Sequence, residues 1–196
     1  MMKQSLAAAI IVIALAACAT AVPPVEVTRF HTANPPMGGT VSIEEMIGNP
    51  DISLEFRTYA AAVAQELQRA GFSESAQGKG EYVALVGLRR SFRPTGPDRS
   101  GNPVSVGVGG STGSFGSGLG VGIGINLSGK PKDVVTTELS VQLRRRGDSQ
   151  AVWEGRALTS AKEGTPAAQP NMAAAKLAAA LIGGYPGESG RTITVR

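Results

Sequence analysis

One cysteine stands in this chain of 196 residues, directly after Leu15-Ala16-Ala17 at the end of an apolar run. A thiolate attacks readily at modest pH and yields a stable thioether. Small residues at Ala16 and Ala17 suit a peptidase pocket. Together they point to cleavage before Cys18 and acylation of its thiol and new amine. Once acylated, Cys18 can form no disulfide, and with His31 as the sole histidine the sequence offers no metal site. A Ser-His-Asp triad would have to use His31, and no Gly-x-Ser-x-Gly elbow falls on a strand-to-helix junction. Gly110-Ser111-Thr112-Gly113 and Gly116-Ser117-Gly118 are linker-like. Gly124 to Lys130 imitates a phosphate loop, but Pro131 replaces the hydroxyl residue that would hold Mg²⁺ and strands lie on both sides. No Gly-x-Gly-x-x-Gly occurs in the Gly-rich region. Glu44 and Glu45 are adjacent, so on a strand they point to opposite sides and read as solvated. The sequence therefore predicts no enzyme, no catalytic residue, no cofactor and no small-molecule substrate.

Lys3 gives a short positive start, and Ser5 to Ala17 supplies 13 apolar or small residues. A bilayer-spanning helix needs about 20, so this is a leader length. Leu15-Ala16-Ala17-Cys18 resembles the bacterial lipoprotein signal. That resemblance implies a signal peptide over 1–17, a diacylglycerol-cysteine and palmitate at Cys18, and a tether over 18–24. Ala19 stands where an Asp would mark inner-membrane retention. The resemblance thus implies the periplasmic face of the outer membrane, with the lipid anchor as the membrane contact.

The formal charge of +4 falls by one when Lys3 leaves with the leader. Acids are spread throughout, which does not suit nucleic acid, where a clustered basic stripe is needed. Arg144-Arg145-Arg146 reads as a solvated hairpin end, with contact to anionic headgroups as the alternative. Residues 25–196 are long enough for one domain with a core.

Val25 to Phe30 is rich in β-formers, and residues 34–39 form a Pro- and Gly-containing loop. Thr40 to Ile47 predicts a second strand. Asn49-Pro50 opens a helix. Ile52, Phe56, Tyr59, Val63 and Leu67 share one face, with Glu55, Arg57, Glu66, Gln68 and Arg69 on the others. Gly71 caps the helix and Phe72 folds back beside it. Residues 81–93 read as a strand and 93–103 as a turn. In 104–128, apolar residues alternate with Gly, Ser and Asn, which predicts two strands of a hairpin around a loop over 110–118. So many strand glycines, including Gly120, Gly122 and Gly124, suggest either a surface lying close against that face or a floppy extension. Val134 to Arg146 and Ala151 to Ala161 form an antiparallel hairpin around Gly147-Asp148-Ser149, with Trp153 as a core anchor. Pro170 begins a second helix, Asn171 to Ile182, stopped by Gly183-Gly184, and the last six residues are extended.

The lipobox, the helix ending Leu67-Gln68-Arg69-Ala70-Gly71-Phe72, the Gly-rich middle, Val152-Trp153-Glu154-Gly155 and Tyr185-Pro186-Gly187 together resemble the small Gram-negative envelope lipoproteins grouped as domain of unknown function 4136. The family's Asp-Phe-Ser and Thr-Tyr-Ala-Trp are replaced here by residues 34–39. The resemblance implies fold and location and adds no reaction. The expectation is an α+β domain, an antiparallel sheet with two helices packed on one face, with a binding or structural role. The alternatives are an accessory subunit of an envelope transport or assembly complex, docking through the Gly-rich hairpin by strand addition, and a hydrolase with an unrecognised site.

Overall fold

The computed structural model describes residues 22–46, 54–95, 104–111, 118–125 and 132–196, with side chains outside 104–125. The expected leader, the start of the helix expected from Asn49-Pro50, and residues 96–103 of the turn expected over 93–103 lie outside them. The elements are β1 (Val25–His31), β2 (Gly39–Glu45), α1 (Leu54–Arg69), β3 (Phe72–Glu74), β4 (Tyr82–Arg93), β5 (Val104–Ser111), β6 (Gly118–Ile125), β7 (Val134–Arg145), β8 (Ala151–Lys162), α2 (Pro170–Ile182) and β9 (Thr192–Val195).

The chain is a mixed α+β fold. Seven strands form one sheet in the order β3-β2-β4-β7-β8-β1-β9, and β5 pairs with β6 in a separate two-stranded sheet. The expected all-antiparallel sheet needs correction, because β2 runs parallel to both β3 and β4. The cause is α1. A helix of 16 residues is about 24 Å long at about 1.5 Å per residue, enough to carry the chain back along the sheet before the next strand starts. β4, β7, β8 and β1 follow as antiparallel neighbours.

Alternation on the strands sets the core. Val135, Thr137, Leu139, Val141 and Leu143 are buried on β7, while Glu138, Ser140, Gln142 and Arg144 between them are half-buried. Val25 and Val27 on β1 and Val152, Trp153 and Ala157 on β8 join Phe56, Tyr59, Val63 and Leu67 of α1 in one cluster. Each large apolar side chain so buried contributes about 1.5–3 kcal/mol. Glu66, expected on an outward face of α1, is also buried, paired with Arg69 one turn on. Gly71 ends α1 at φ +100°, a conformation that favours glycine. Phe72 then enters β3, a strand too short to carry a pattern of its own, and is 3% exposed.

α2 packs on α1 and on β8. Its Ala173, Ala174, Leu177, Ala178 and Leu181 are buried. At Gly155 of β8 a Cβ would sit 2.7 Å from Leu181 Cδ1 and 2.7 Å from Trp153 Cη2. The Trp-Glu-Gly run thus places an indole across a bare backbone position beneath the helix. Trp153 Nε1 donates to Pro186 O at 2.9 Å. Tyr185 lies against Phe72 and Trp153 with ring centroids 5.6 and 5.4 Å apart, and its hydroxyl donates to Pro36 O at 2.7 Å. Tyr185-Pro186-Gly187 therefore closes the core.

Candidate functional site

Registers fix which segments share an end of the sheet. Arg93 pairs with Val134, and Val134 with Lys162. Val25 pairs with Thr159, three residues short of Lys162, and Thr159 Oγ1 donates to Pro24 O at 2.9 Å. The segment before Val25 and both arms of the insertion between β4 and β7 therefore leave from one end. Thr95 Oγ1 donates to Lys132 O at 2.9 Å, holding those arms together beyond the ladder. The expected acylation site, Cys18 with Leu15, Ala16 and Ala17, lies outside the described residues.

In the insertion, Gly120, Gly122 and Gly124 of β6 stand opposite Gly109, Gly107 and Ser105 of β5. The apolar positions match one another in the same way, as Val104 with Ile125, Val106 with Ile123 and Val108 with Val121. Strand pairing extends inward to Ser111 and Gly118, past the limits of the expected loop.

At the opposite end of the sheet lies the arginine run. Arg145 is exposed at the hairpin end as expected, while Arg144 and Arg146 are half-buried. Arg144 Nε donates to Gln142 at 2.7 Å, Arg145 pairs with Asp148 at 2.8 Å, and Arg146 pairs with Glu44 at 2.7 Å. Arg146 also donates to Ser42 Oγ and to Gly80 O. Glu44, read as a solvated carboxylate, is instead the hub of this network. Hydrogen bonding from Arg146, with further bonds from Ser42 and the Gly78 N–H, holds its carboxyl below the ordinary range despite partial desolvation.

The groups a catalyst would need are engaged elsewhere. The two ring nitrogens of His31 lie 2.7 Å from Thr32 O and 3.0 Å from Gly187 O, so the imidazole ties β1 to the C-terminal segment. Ser111 ends a hairpin strand. Burial pushes the Tyr59 hydroxyl up to about 12, far from a working acid or base at neutral pH. Among the described residues, no group of three His, Cys, Asp or Glu side chains is placed to hold a metal.

Arg29 was not singled out by sequence reasoning, since a strand arginine looks solvated. It is 5% exposed. Its Nε donates to Leu181 O at 2.9 Å and its Nη2 to Ala180 O at 2.8 Å, capping the C-terminal end of α2.

The candidate binding surface is a groove of ≈ 420 Å³ on β1, β4, β7 and β8. Phe30, Met46 and Leu85 supply apolar surface and Gln142, Glu154 and Arg156 its polar partners. Phe30 is 49% exposed. Gln142 Nε2 donates to Glu154 at 3.0 Å across the strands, and Arg156 pairs with Glu138 at 3.3 Å. Such a lining can grip an amphipathic partner. The sequence signal for it was the polar half of the alternation on β7 and β8.

No family model matches the chain. Among solved structures, a PDZ domain protein from Parabacteroides distasonis is 10% identical at a TM-score of 0.50, covering 88% of this chain and 39% of that one, a likeness of fold alone. A PelC dodecamer from Paraburkholderia phytofirmans is 13% identical at a TM-score of 0.43, covering 80% of this chain and 94% of that one. The uncharacterized protein ZMO1243 of Zymomonas mobilis is 34% identical over an alignment that covers 88% of this chain and 80% of that protein. At that identity and coverage, the chain belongs to the family of ZMO1243.

Proposed function

We propose that this chain is a lipid-anchored envelope protein with a binding or structural role. It is held through Cys18 on the periplasmic face of the outer membrane, like the envelope lipoproteins of domain of unknown function 4136 that it resembles. In this reading α1 and α2 cover one face of the main sheet and the other face meets a partner. The observation that carries it is the groove around Phe30, whose exposed ring sits among cross-strand polar pairs. Apolar surface grouped in a groove marks an interaction site where a lone exposed side chain does not, and here Phe30 is joined by Met46 and Leu85, with polar pairs to orient what binds. The leader supports the anchor, since Leu15-Ala16-Ala17-Cys18 closes an apolar run of signal-peptide length.

Two experiments test the two halves. Cells fed a palmitate analogue should label the wild-type chain and leave Cys18→Ser unlabelled; equal labelling would defeat the anchor. A photo-crosslinking residue at position 30 should capture a discrete adduct in intact cells, whereas the same residue at position 65, on α1, should not. Capture from neither position, or from both alike, would defeat the binding face.

A further inference from the structure

The β5–β6 insertion has a construction that neither the main sheet nor a water-exposed hairpin explains. We propose that β5 and β6 cross a lipid bilayer as one hairpin of a closed β-barrel assembled from several copies of this chain.

The register carries the first part of the argument. Apolar residues stand opposite apolar residues at Val104–Ile125, Val106–Ile123 and Val108–Val121, and glycine stands opposite glycine at 107–122 and 109–120. Successive strand residues belong to opposite sides of a sheet. One side of this ribbon is therefore assigned aliphatic residues and the other bare or hydroxyl-bearing backbone. That is the division between lipid and lumen in a membrane barrel. A hairpin solvated on both sides needs charge, and residues 101–129 contain none. Charge returns just outside, at Asp98 and Arg99 before and at Lys130 and Lys132 after.

Length agrees. Each strand has 8 residues, about 27 Å at about 3.4 Å per residue. Tilted by about 40°, that becomes roughly 21 Å, against an apolar band about 25 Å tall, and the uncharged arms continue past both strands.

Edges require the copies. Among the described residues β5 and β6 pair only with each other, so within them each strand has one edge of unpaired N–H and C=O groups. In hydrocarbon every such group must be paired, which two strands cannot achieve and a closed ring can. The smallest membrane barrels have about eight strands, hence about four copies here.

Placement also agrees. Both arms leave the main sheet at the end from which the chain runs back towards Cys18. This point alone rests on the lipid-anchor reading; the register, length and edges do not.

The test uses the full chain in vesicles of phosphatidylethanolamine and phosphatidylglycerol. Single cysteines replace Val106, Val108, Val121 and Ile123 in one set and Gly107, Gly109, Gly120 and Gly122 in another, each carrying an environment-sensitive fluorophore. The first set should be quenched by nitroxide attached to lipid tails and the second by aqueous iodide. Iodide quenching of both sets would place the hairpin in water and overturn the proposal. Protection of the first set from both quenchers would bury it against protein, as in strand addition to another envelope component, and overturn it equally. Should a glycine variant misfold, the four aliphatic positions still decide. The detergent-extracted wild-type complex should have a mass of about four copies or more, and a monomer or dimer would refute closure. A thiol reagent that labels the wild-type chain would show Cys18 free, which defeats the anchor while leaving the quenching pattern to judge the hairpin.

Discussion

Replacing Arg29 by methionine should weaken the domain more than any surface substitution, because Arg29 joins three parts of the fold. Its guanidinium holds Leu181 O and Ala180 O at 2.9 and 2.8 Å, the carbonyls that α2 leaves unpaired at its end. Gly187 lies against it, so close that a Cβ there would be 2.6 Å from Arg29 Cδ, and its φ of +77° favours glycine. Each hydrogen bond from a charged donor contributes about 1.5–3 kcal/mol, and a cation at a helix C-terminus up to about 2 kcal/mol. Against this stands the desolvation of the cation, which also depresses its pKa. Methionine keeps most of the stem and loses all the donors, for a net loss of about 2–4 kcal/mol. At about 2–4 °C per kcal/mol for a chain of this size, Tm should fall by about 5–15 °C. Thermal and urea unfolding followed by circular dichroism would measure it. Fluorescence of Trp153 gives a local readout, since its indole donates to Pro186 O beside Gly187. Arg29→Lys, which keeps the charge without the fork, should fall between the two. A methionine variant within about 0.5 kcal/mol of wild type would refute the capping argument.

Three further expectations follow from single contacts. Gly155→Ala forces a methyl group against Leu181 and Trp153; urea unfolding should register a loss of about 1–3 kcal/mol, and an unchanged midpoint would mean that α2 shifts freely. Tyr185→Phe removes the bond to Pro36 O while keeping the ring, so its stability should drop by about 0.5–1.5 kcal/mol, and a larger drop would implicate the ring packing instead. Glu44 titrates below its unfolded value because Arg146 holds it ionised, so its stabilisation is complete above that unfolded value and vanishes as pH falls through the folded one. Wild type should therefore exceed Glu44→Gln in Tm at pH 7, with the gap closing as pH falls through and below the carboxylate range. A gap independent of pH would show that the charge of Glu44 does not matter.

The parts of the fold that were legible had periodic patterns. Phe56, Tyr59, Val63 and Leu67 marked the buried face of α1, and the β7–β8 hairpin announced itself through alternation and its Gly-Asp-Ser turn. Strand direction leaves no such mark, since a strand alternates identically whichever way its neighbour runs. The parallel setting of β2 was therefore hidden, and β3 was too short to alternate. The roles of two arginines were hidden for a different reason. Arg29 and Arg146 are each partnered by groups far away in sequence, at 180–181 and 42–44, and composition alone gives an arginine to solvent. The same limit hid the groove, whose polar lining reads along each strand as an ordinary solvent face. Tyr185-Pro186-Gly187 stood out as a motif, but its task of sealing Trp153 became visible only when the C-terminal segment was placed against β1 and β8.

The account depends on Cys18 carrying lipid, and intact-mass spectrometry of the protein purified from its native membrane tests that most directly. The expected mass is that of residues 18–196 plus a diacylglycerol and a further acyl chain. A polypeptide beginning at any other residue, or one beginning at Cys18 with no added lipid mass, would contradict it.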